Sequence, residues 1–271
     1  MTLRRALFAA VLALVVLAGG TAAGAEPSAT GLEGHGEPAS TAAKPRRPPP
    51  PLRLRQSCFR KSDRATIVRF RASDGVRLIG GTIGRGPHVV VLAHERGRTH
   101  CSWLPYARTL ARRGYRVLVF NARGHGSSST PYDLRRIYRI DYDVIGAVRE
   151  MRRRGASTVV LAGGSMGASA VLVAAAAIRP LVNGVAPVSG GSWRDMDGVS
   201  AAQRLSVPVL FLSAEQDGGL PDLHRRLYDL VPPADKRLLI LPGSEHGSPL
   251  IDRVPEARAA LDAFVDRVSG R

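Results

Sequence analysis

Short runs of apolar residues, separated by amphipathic segments, organise the chain from about residue 65 to its end. The first two runs alternate apolar and polar positions on either side of Asp74-Gly75, a dipeptide that favours a β-hairpin. Six later runs are almost continuously apolar, which is typical of strands buried on both faces. These runs read HVVVLA, YRVLVF, STVVLAG, LVNGVAPV, VPVLFL and KRLLIL. The pattern therefore predicts a sheet of the eight-stranded type.

Segments with helical periodicity lie between most of these runs. They read SWLPYARTLARR, YDVIGAVREMRRR, MGASAVLVAAAAI, DLHRRLYDLV and PEARAALDAFVDRV. The first two are followed by Gly114 and Gly155, as helix C-termini commonly are. Alternating strands and helices form a mostly parallel sheet with helices on both faces, which bind ligands beyond the carboxyl ends of the strands. We therefore expect an α/β fold with its chemistry in the loops that follow the strands.

The N-terminal region differs from this pattern. Residues 1–25 contain an arginine pair, an apolar stretch and the small residues Ala23-Gly24-Ala25, which together predict a cleaved signal peptide. An uncleaved membrane anchor is the alternative. Residues 26–57 are rich in Pro and Ala and predict a disordered linker. The α/β domain is then expected over 58–271, in a secreted or extracytoplasmic protein.

Charge and composition narrow the partner classes. The formal net charge is +17, with 39 basic residues that are nearly all arginine. Such an excess favours an anionic partner, but it also follows from GC-rich coding, because alanine, glycine and proline are abundant as well. The basic residues are dispersed and form no aromatic-interleaved stripe, which argues against nucleic acid binding. We expect a monomer with a small-molecule or acylated substrate, no integral membrane partner, and at most weak association with anionic surfaces.

The chain has two cysteines, Cys58 and Cys101. Export permits a disulfide between them, and two buried free thiols are equally compatible with the sequence. A structural metal site needs more clustered ligands than these. We predict neither a metal nor a cofactor.

The sequence GGSMG at residues 163–167 is the strongest local motif. It matches G-x-S-x-G at a strand-to-helix turn, where the serine, Ser165, is presented as a nucleophile. A phosphate-binding loop would need a lysine after the last glycine, and a dinucleotide site would need G-x-G-x-x-G in the first βα unit. Neither is present at this position.

Two later strand-end loops carry the partners that a serine nucleophile needs. Asp217 follows VPVLFLSAEQ, and His246 follows LLILPGSE, in the Ser, Asp, His order expected for this kind of turn. A turn-capping aspartate and a surface histidine are the alternatives. Rival acids are Glu215, Asp195 and Asp197.

Other histidines receive structural interpretations. His224 lies in a helical pattern and is expected to be solvated, whereas His125 is expected to support a sharp turn.

An oxyanion hole needs two backbone N–H groups. Met166 directly follows the nucleophile, and Glu95 or Arg96 lies in the loop after the third strand.

These motifs together resemble the α/β-hydrolase superfamily, and within it dienelactone-hydrolase-like serine hydrolases of actinobacteria. The matching segments are VVVLAHERG, GYRVLVFNARGHGSS, GGSMGA, PVLFLSAEQD and PGSEHG. The resemblance implies that Ser165 is the nucleophile, His246 the general base and acid, and Asp217 its orienting partner. Two positions depart from the family pattern: Glu95 replaces the glycine of a His-Gly pair, and Asn121 replaces an aspartate. A side chain at Glu95 is expected to narrow or charge the pocket.

The segment between the sixth and seventh strands is too short for a multi-helix lid, so no large cap domain is expected. Trp193 and Met196 within it are either pocket walls or packing residues. The predicted activity is ester hydrolysis through an acyl-enzyme. Peptide hydrolysis or acyl transfer on the same triad, and a non-catalytic binding module of the same fold, are the alternatives.

Overall fold

The structure, a computed structural model, describes residues 49–54, 58–232 and 235–271. The predicted signal peptide at residues 1–25 lies outside these ranges, as does most of the predicted linker at 26–57.

A single compact unit comprises Pro49–Arg271. Residues 49–54 belong to it because they lie against the first hairpin, where Arg69 Nε donates a hydrogen bond to Leu52 O at 2.6 Å. In the described part of the chain, no helix has both the length and the apolarity needed to cross a bilayer.

The core of this unit is one eight-stranded sheet with strand order β1-β2-β4-β3-β5-β6-β7-β8. β1 and β2 are antiparallel to each other, β2 is antiparallel to β4, and every other neighbouring pair is parallel. This confirms the predicted fold class. The strands are β1 (Thr66–Arg71), β2 (Arg77–Ile83), β3 (His88–Ala93), β4 (Arg116–Asn121), β5 (Thr158–Gly164), β6 (Gly184–Val188), β7 (Val209–Ala214) and β8 (Lys236–Leu241).

Helices cover both faces of the sheet because its central strands are apolar on both sides. The helices are α1 (Leu104–Arg112), α2 (Asp141–Arg153), α3 (Met166–Ala177), α4 (Gly198–Gln203), α5 (Leu220–Leu230), α6 (Ser248–Arg253) and α7 (Pro255–Ser269). In β3, Val89 and Val91 pack with α2 to α5 on one face, and Val90 and Leu92 pack with α1, α6 and α7 on the other. The six-residue helices α4 and α6 are too short to show a periodic pattern, so the sequence did not predict them.

No large cap domain lies between β6 and β7 in the described residues, since α4 is the only helix there. Met196 is fully buried in the core. Trp193 packs edge to face on Tyr138, with ring centroids 5.1 Å apart. Met196 is therefore a core residue, and neither residue lines the cleft that contains Ser165.

A disulfide joins Cys58 to Cys101, with a Cα–Cα distance of 5.8 Å. It ties the segment before β1 to the 3₁₀ helix His100–Trp103, which follows the loop after β3. Arg108 on α1 strengthens this connection by donating to Cys58 O at 3.1 Å. The interpretation of two free thiols is wrong.

Arg123 anchors the loop after β4. Its guanidinium is fully buried and lies 2.8 Å from Asp74 and 2.7 Å from Asp143, and its backbone N–H donates to Asp143 Oδ2 at 2.8 Å. Asp74 belongs to the β1–β2 turn and Asp143 to α2, so one residue holds three elements together. Asn121 is one of the two positions that depart from the family pattern. Its role is structural, because its Oδ1 accepts from the backbone N–H of His100 at 3.0 Å.

Candidate active site

Ser165 stands on the turn between β5 and α3. Its backbone has φ 53° and ψ −113°, a strained conformation for a residue with a side chain. Close packing around it explains the flanking glycines: a Cβ at Gly163 would lie 2.4 Å from Gly167 O, and one at Gly167 would lie 2.2 Å from Ala93 O. The turn therefore has the geometry that G-x-S-x-G predicts.

His246 and Asp217 meet across the loops after β8 and β7. His246 Nδ1 lies 2.9 Å from Asp217 Oδ1 and 3.1 Å from Oδ2. In this arrangement Nδ1–H donates to the carboxylate, and Nε2 is left as a proton acceptor. The Asp217 side chain is 11% exposed and the His246 side chain 45%, so the acid is sheltered and the base is accessible.

The three rival acids do not reach His246. Asp197 caps α4, where its carboxylate accepts from Ser200 N at 3.1 Å and from Ser200 Oγ at 2.6 Å. Asp195 and Glu215 are exposed, and neither has a hydrogen bond to the imidazole. Among the acids proposed from the sequence, Asp217 is therefore the partner of His246.

A cleft of ≈ 480 Å³ contains Ser165 and His246 together. The loop after β3 forms one side of it, and the loop before α6 together with α6 forms the other. Its lining residues are Glu95, Arg96, Arg98, Ser165, Ser244, Glu245, His246, Pro249 and Arg253.

The predicted oxyanion donors belong to the turn that carries Ser165 and to the loop after β3. Met166 supplies the first N–H of α3, where the helix dipole favours negative charge. In the described part of the chain, the N–H groups of Glu95 and Arg96 donate no backbone hydrogen bond. Neither of these two N–H groups therefore has a backbone acceptor in the described residues.

The Glu95 side chain turns inward beneath the cleft. Only 6% of the residue is exposed. Oε2 accepts from Ser102 Oγ at 2.8 Å and Oε1 from the backbone N–H of Ser248 at 2.5 Å. Oε1 also lies 2.6 Å from the position of a Cβ at Gly164. The carboxylate therefore fills the space beside the serine turn that the glycines leave open.

His94 fixes the position of the loop after β3. Its Nε2 accepts from Ala122 N at 3.0 Å, and its Nδ1–H donates to Glu95 O at 2.7 Å. Burial lowers the pKa of His94 to about 4, so the ring is neutral near pH 7. His125 packs on it edge to face and binds Arg123 O through Nδ1 at 2.9 Å, which agrees with its structural interpretation.

The prediction that His224 is solvated is wrong. The residue is fully buried rather than solvated, its Nε2 lies 2.6 Å from Gly190 O, and burial lowers its pKa to about 4. Gly190 packs against the serine turn, because a Cβ there would lie 2.6 Å from Ser165 O. A signal was present in the sequence: His224 is three residues from both Pro221 and Leu227, the other buried positions of α5.

Comparisons with known proteins identify the family to which this chain belongs. The sequence profile of the alpha/beta hydrolase family matches residues 90–262. Epoxide hydrolase A of Mycobacterium tuberculosis is 29% identical over 242 residues, which are 75% of this chain and 67% of that protein.

Solved structures with the same fold include an esterase of Pyrococcus furiosus, with a TM-score of 0.64 and 16% identity over 80% of this chain and 96% of the esterase. An enol-lactonase of Burkholderia xenovorans has a TM-score of 0.58 and 18% identity over 73% of this chain and 98% of the lactonase. At these identities the likeness extends to the fold alone. The narrower resemblance to dienelactone-hydrolase-like enzymes is not confirmed, since the curated relative is an epoxide hydrolase.

Proposed function

Since the chain belongs to the alpha/beta hydrolase family, we propose that it is a serine hydrolase that cleaves carboxylic esters through an acyl-enzyme. The observation that carries this proposal is the 2.9 Å contact of His246 Nδ1 with Asp217, because His246 shares its cleft with Ser165. A serine hydroxyl becomes a nucleophile only beside a base whose orientation is held by a third group.

The proposed reaction has two steps. Ser165 Oγ attacks the ester carbonyl while its proton moves to His246 Nε2, and the negative oxygen is bound by the N–H groups of Met166 and of Glu95 or Arg96. The imidazolium then protonates the departing alcohol. Water attacks the acyl-enzyme with His246 again as base, which releases the acid and restores the serine. Asp217 keeps the imidazole in the required tautomer throughout.

The identity of the nucleophile supports an acyl substrate over an epoxide. Opening an epoxide with the Ser165 hydroxyl would join the serine to carbon through an ether, which water and a histidine base do not cleave. Acyl transfer to the same hydroxyl forms an ester, which they do cleave. Although epoxide hydrolase A is the curated relative, a serine at this turn favours ester hydrolysis.

We also propose that the protein acts outside the cytoplasm. The signal-peptide pattern of residues 1–25 supports export. The disulfide between Cys58 and Cys101 supports it independently, because such bonds persist in oxidising compartments.

Hydrolysis of 4-nitrophenyl acetate by the wild type and by Ser165→Ala tests the proposal. We expect turnover by the wild type, labelling by a fluorophosphonate probe, and loss of both in the variant. Ser206→Ala is the matched control, because Ser206 is exposed and precedes β7 at the opposite edge of the sheet. Turnover that survives in Ser165→Ala would reject the serine mechanism. Hydrolysis of styrene oxide by the wild type, without ester turnover, would favour epoxide chemistry instead.

A further inference from the structure

The walls of the Ser165 cleft are polar and rich in arginine. Pro249 is the only apolar residue among the nine that line it, and Arg96, Arg98 and Arg253 are three of the others. Such walls offer little apolar surface along which a long acyl chain could be buried. The lining instead favours a short, polar substrate.

The three arginines of this cleft differ in whether a carboxylate pairs with them. Arg253 Nη1 lies 3.3 Å from Glu245 Oε1, so its charge is partly balanced. Arg96 and Arg98 are exposed, and no carboxylate of the described residues pairs with either. The buried carboxylate of Glu95 accepts hydrogen bonds from Ser102 Oγ and Ser248 N and pairs with no arginine of the described residues. The cleft therefore has two guanidinium groups available to an anion.

Hydrogen bonds to one carbonyl oxygen fix the backbone of the turn that carries these two arginines. Glu95 O accepts hydrogen bonds from Arg98 N at 3.1 Å and from His94 Nδ1 at 2.7 Å. Gly97, between the two arginines, has φ +72°, which permits the tight turn. Because the backbone of this turn is fixed, the Cα atoms of Arg96 and Arg98 have defined positions beside the proposed oxyanion donors.

We propose that the preferred substrate is a short-chain ester with a second, ionised carboxylate, which Arg96 and Arg98 bind while Ser165 attacks the ester. A guanidinium carries its charge at every physiological pH and matches a carboxylate with two parallel hydrogen bonds. The net charge of +17 also draws anions toward the protein. This inference rests on the proposed function, because it names the substrate class of the same site.

The test compares the 4-nitrophenyl monoester of adipic acid with the corresponding methyl diester, in which a methyl group removes the charge of the carboxylate. Release of 4-nitrophenol reports cleavage of the same ester bond in both. We expect kcat/KM to be about tenfold higher for the anionic substrate at low salt, with the ratio falling as salt rises. Arg96→Ala and Arg98→Ala should each reduce that ratio about threefold. Arg237→Ala is the matched control and should leave the ratio unchanged, because Arg237 is exposed at the amino end of β8, opposite the cleft.

The outcomes separate this inference from the proposed function. Ser165-dependent hydrolysis of both esters with equal kcat/KM would overturn the anionic preference and leave the esterase intact. A preference that survives in Arg96→Ala and Arg98→Ala, or that disappears equally in Arg237→Ala, would also overturn it. Absence of turnover on both esters, together with absence of fluorophosphonate labelling, would reject the esterase itself and this inference with it.

Discussion

Glu95 Oε1 lies 2.5 Å from the backbone nitrogen of Ser248 and accepts its N–H. This contact joins the loop after β3, which carries the proposed oxyanion donors, to the loop that carries His246. The other oxygen of the same carboxylate accepts from Ser102 Oγ. One buried side chain thus sets the distance between two parts of the proposed catalytic machinery.

Glu95→Ala should therefore reduce kcat more than it changes KM. Without the carboxylate, the Ser248 amide loses its partner and the His246 loop can shift, and a displacement of about 1 Å in a reacting group costs on the order of 100-fold in rate. Steady-state kinetics on 4-nitrophenyl acetate measure the effect.

Glu95→Gln is the matched control, since its Oε1 can still accept from Ser248 at the same position. We expect it to restore most of the lost kcat. If Glu95→Gln were as inactive as Glu95→Ala in a folded protein, the negative charge would matter rather than the position of the loop.

Asp217→Asn should lower kcat by about 10³- to 10⁴-fold, because an amide can hold the imidazole in the wrong tautomer. Asp195→Asn, on the loop after β6, and Glu215→Gln, on the same loop as Asp217, are controls of the same kind. Neither side chain contacts His246. We expect near wild-type rates from both. The opposite ranking would assign the orienting carboxylate to another residue.

Arg123→Ala should destabilise the fold by about 3–5 kcal/mol, because it leaves the carboxylates of Asp74 and Asp143 buried without their cation. Urea unfolding followed by circular dichroism measures the change. Arg226→Ala, at an exposed position of α5 without an ion-pair partner in the described residues, serves as the control. A loss below about 1 kcal/mol for Arg123→Ala would mean that the network contributes no more than a surface pair.

Acid should destabilise the protein through its buried histidines. Burial lowers the pKa of His94 and of His224 from 6.5 to about 4, so between these values the unfolded chain binds protons that the folded protein does not. Their contribution is complete above pH 6.5 and is lost as the pH falls toward 4, at about 1.4 kcal/mol per pH unit for each histidine.

His224→Gln tests this prediction, because glutamine keeps a donor for Gly190 O and does not titrate. Urea unfolding between pH 7 and pH 5 should show a shallower loss of stability than in the wild type. Equal slopes in the two proteins would mean that His224 is already protonated in the folded state.

The sequence by itself determined the local features of this protein. Continuous apolar runs predicted the buried strands, because strands covered on both faces have no polar side. The GGSMG turn identified Ser165, since Gly163 leaves room for the backbone of Gly167 within the same turn. The turn depends on residues that are neighbours in the chain, and the apolar runs depend on whether both faces of a strand are covered.

Tertiary structure decided the contacts between distant segments. The sequence left four acids as possible partners of His246, and only the loop packing after β7 and β8 selected Asp217. His224 was expected to be solvated, yet its helix turns it into the core toward Gly190. Glu95 and Ser248 are 153 positions apart, and no short-range pattern relates them. The order of strands in the sheet places loops side by side, and this order depends on the packing of the whole domain.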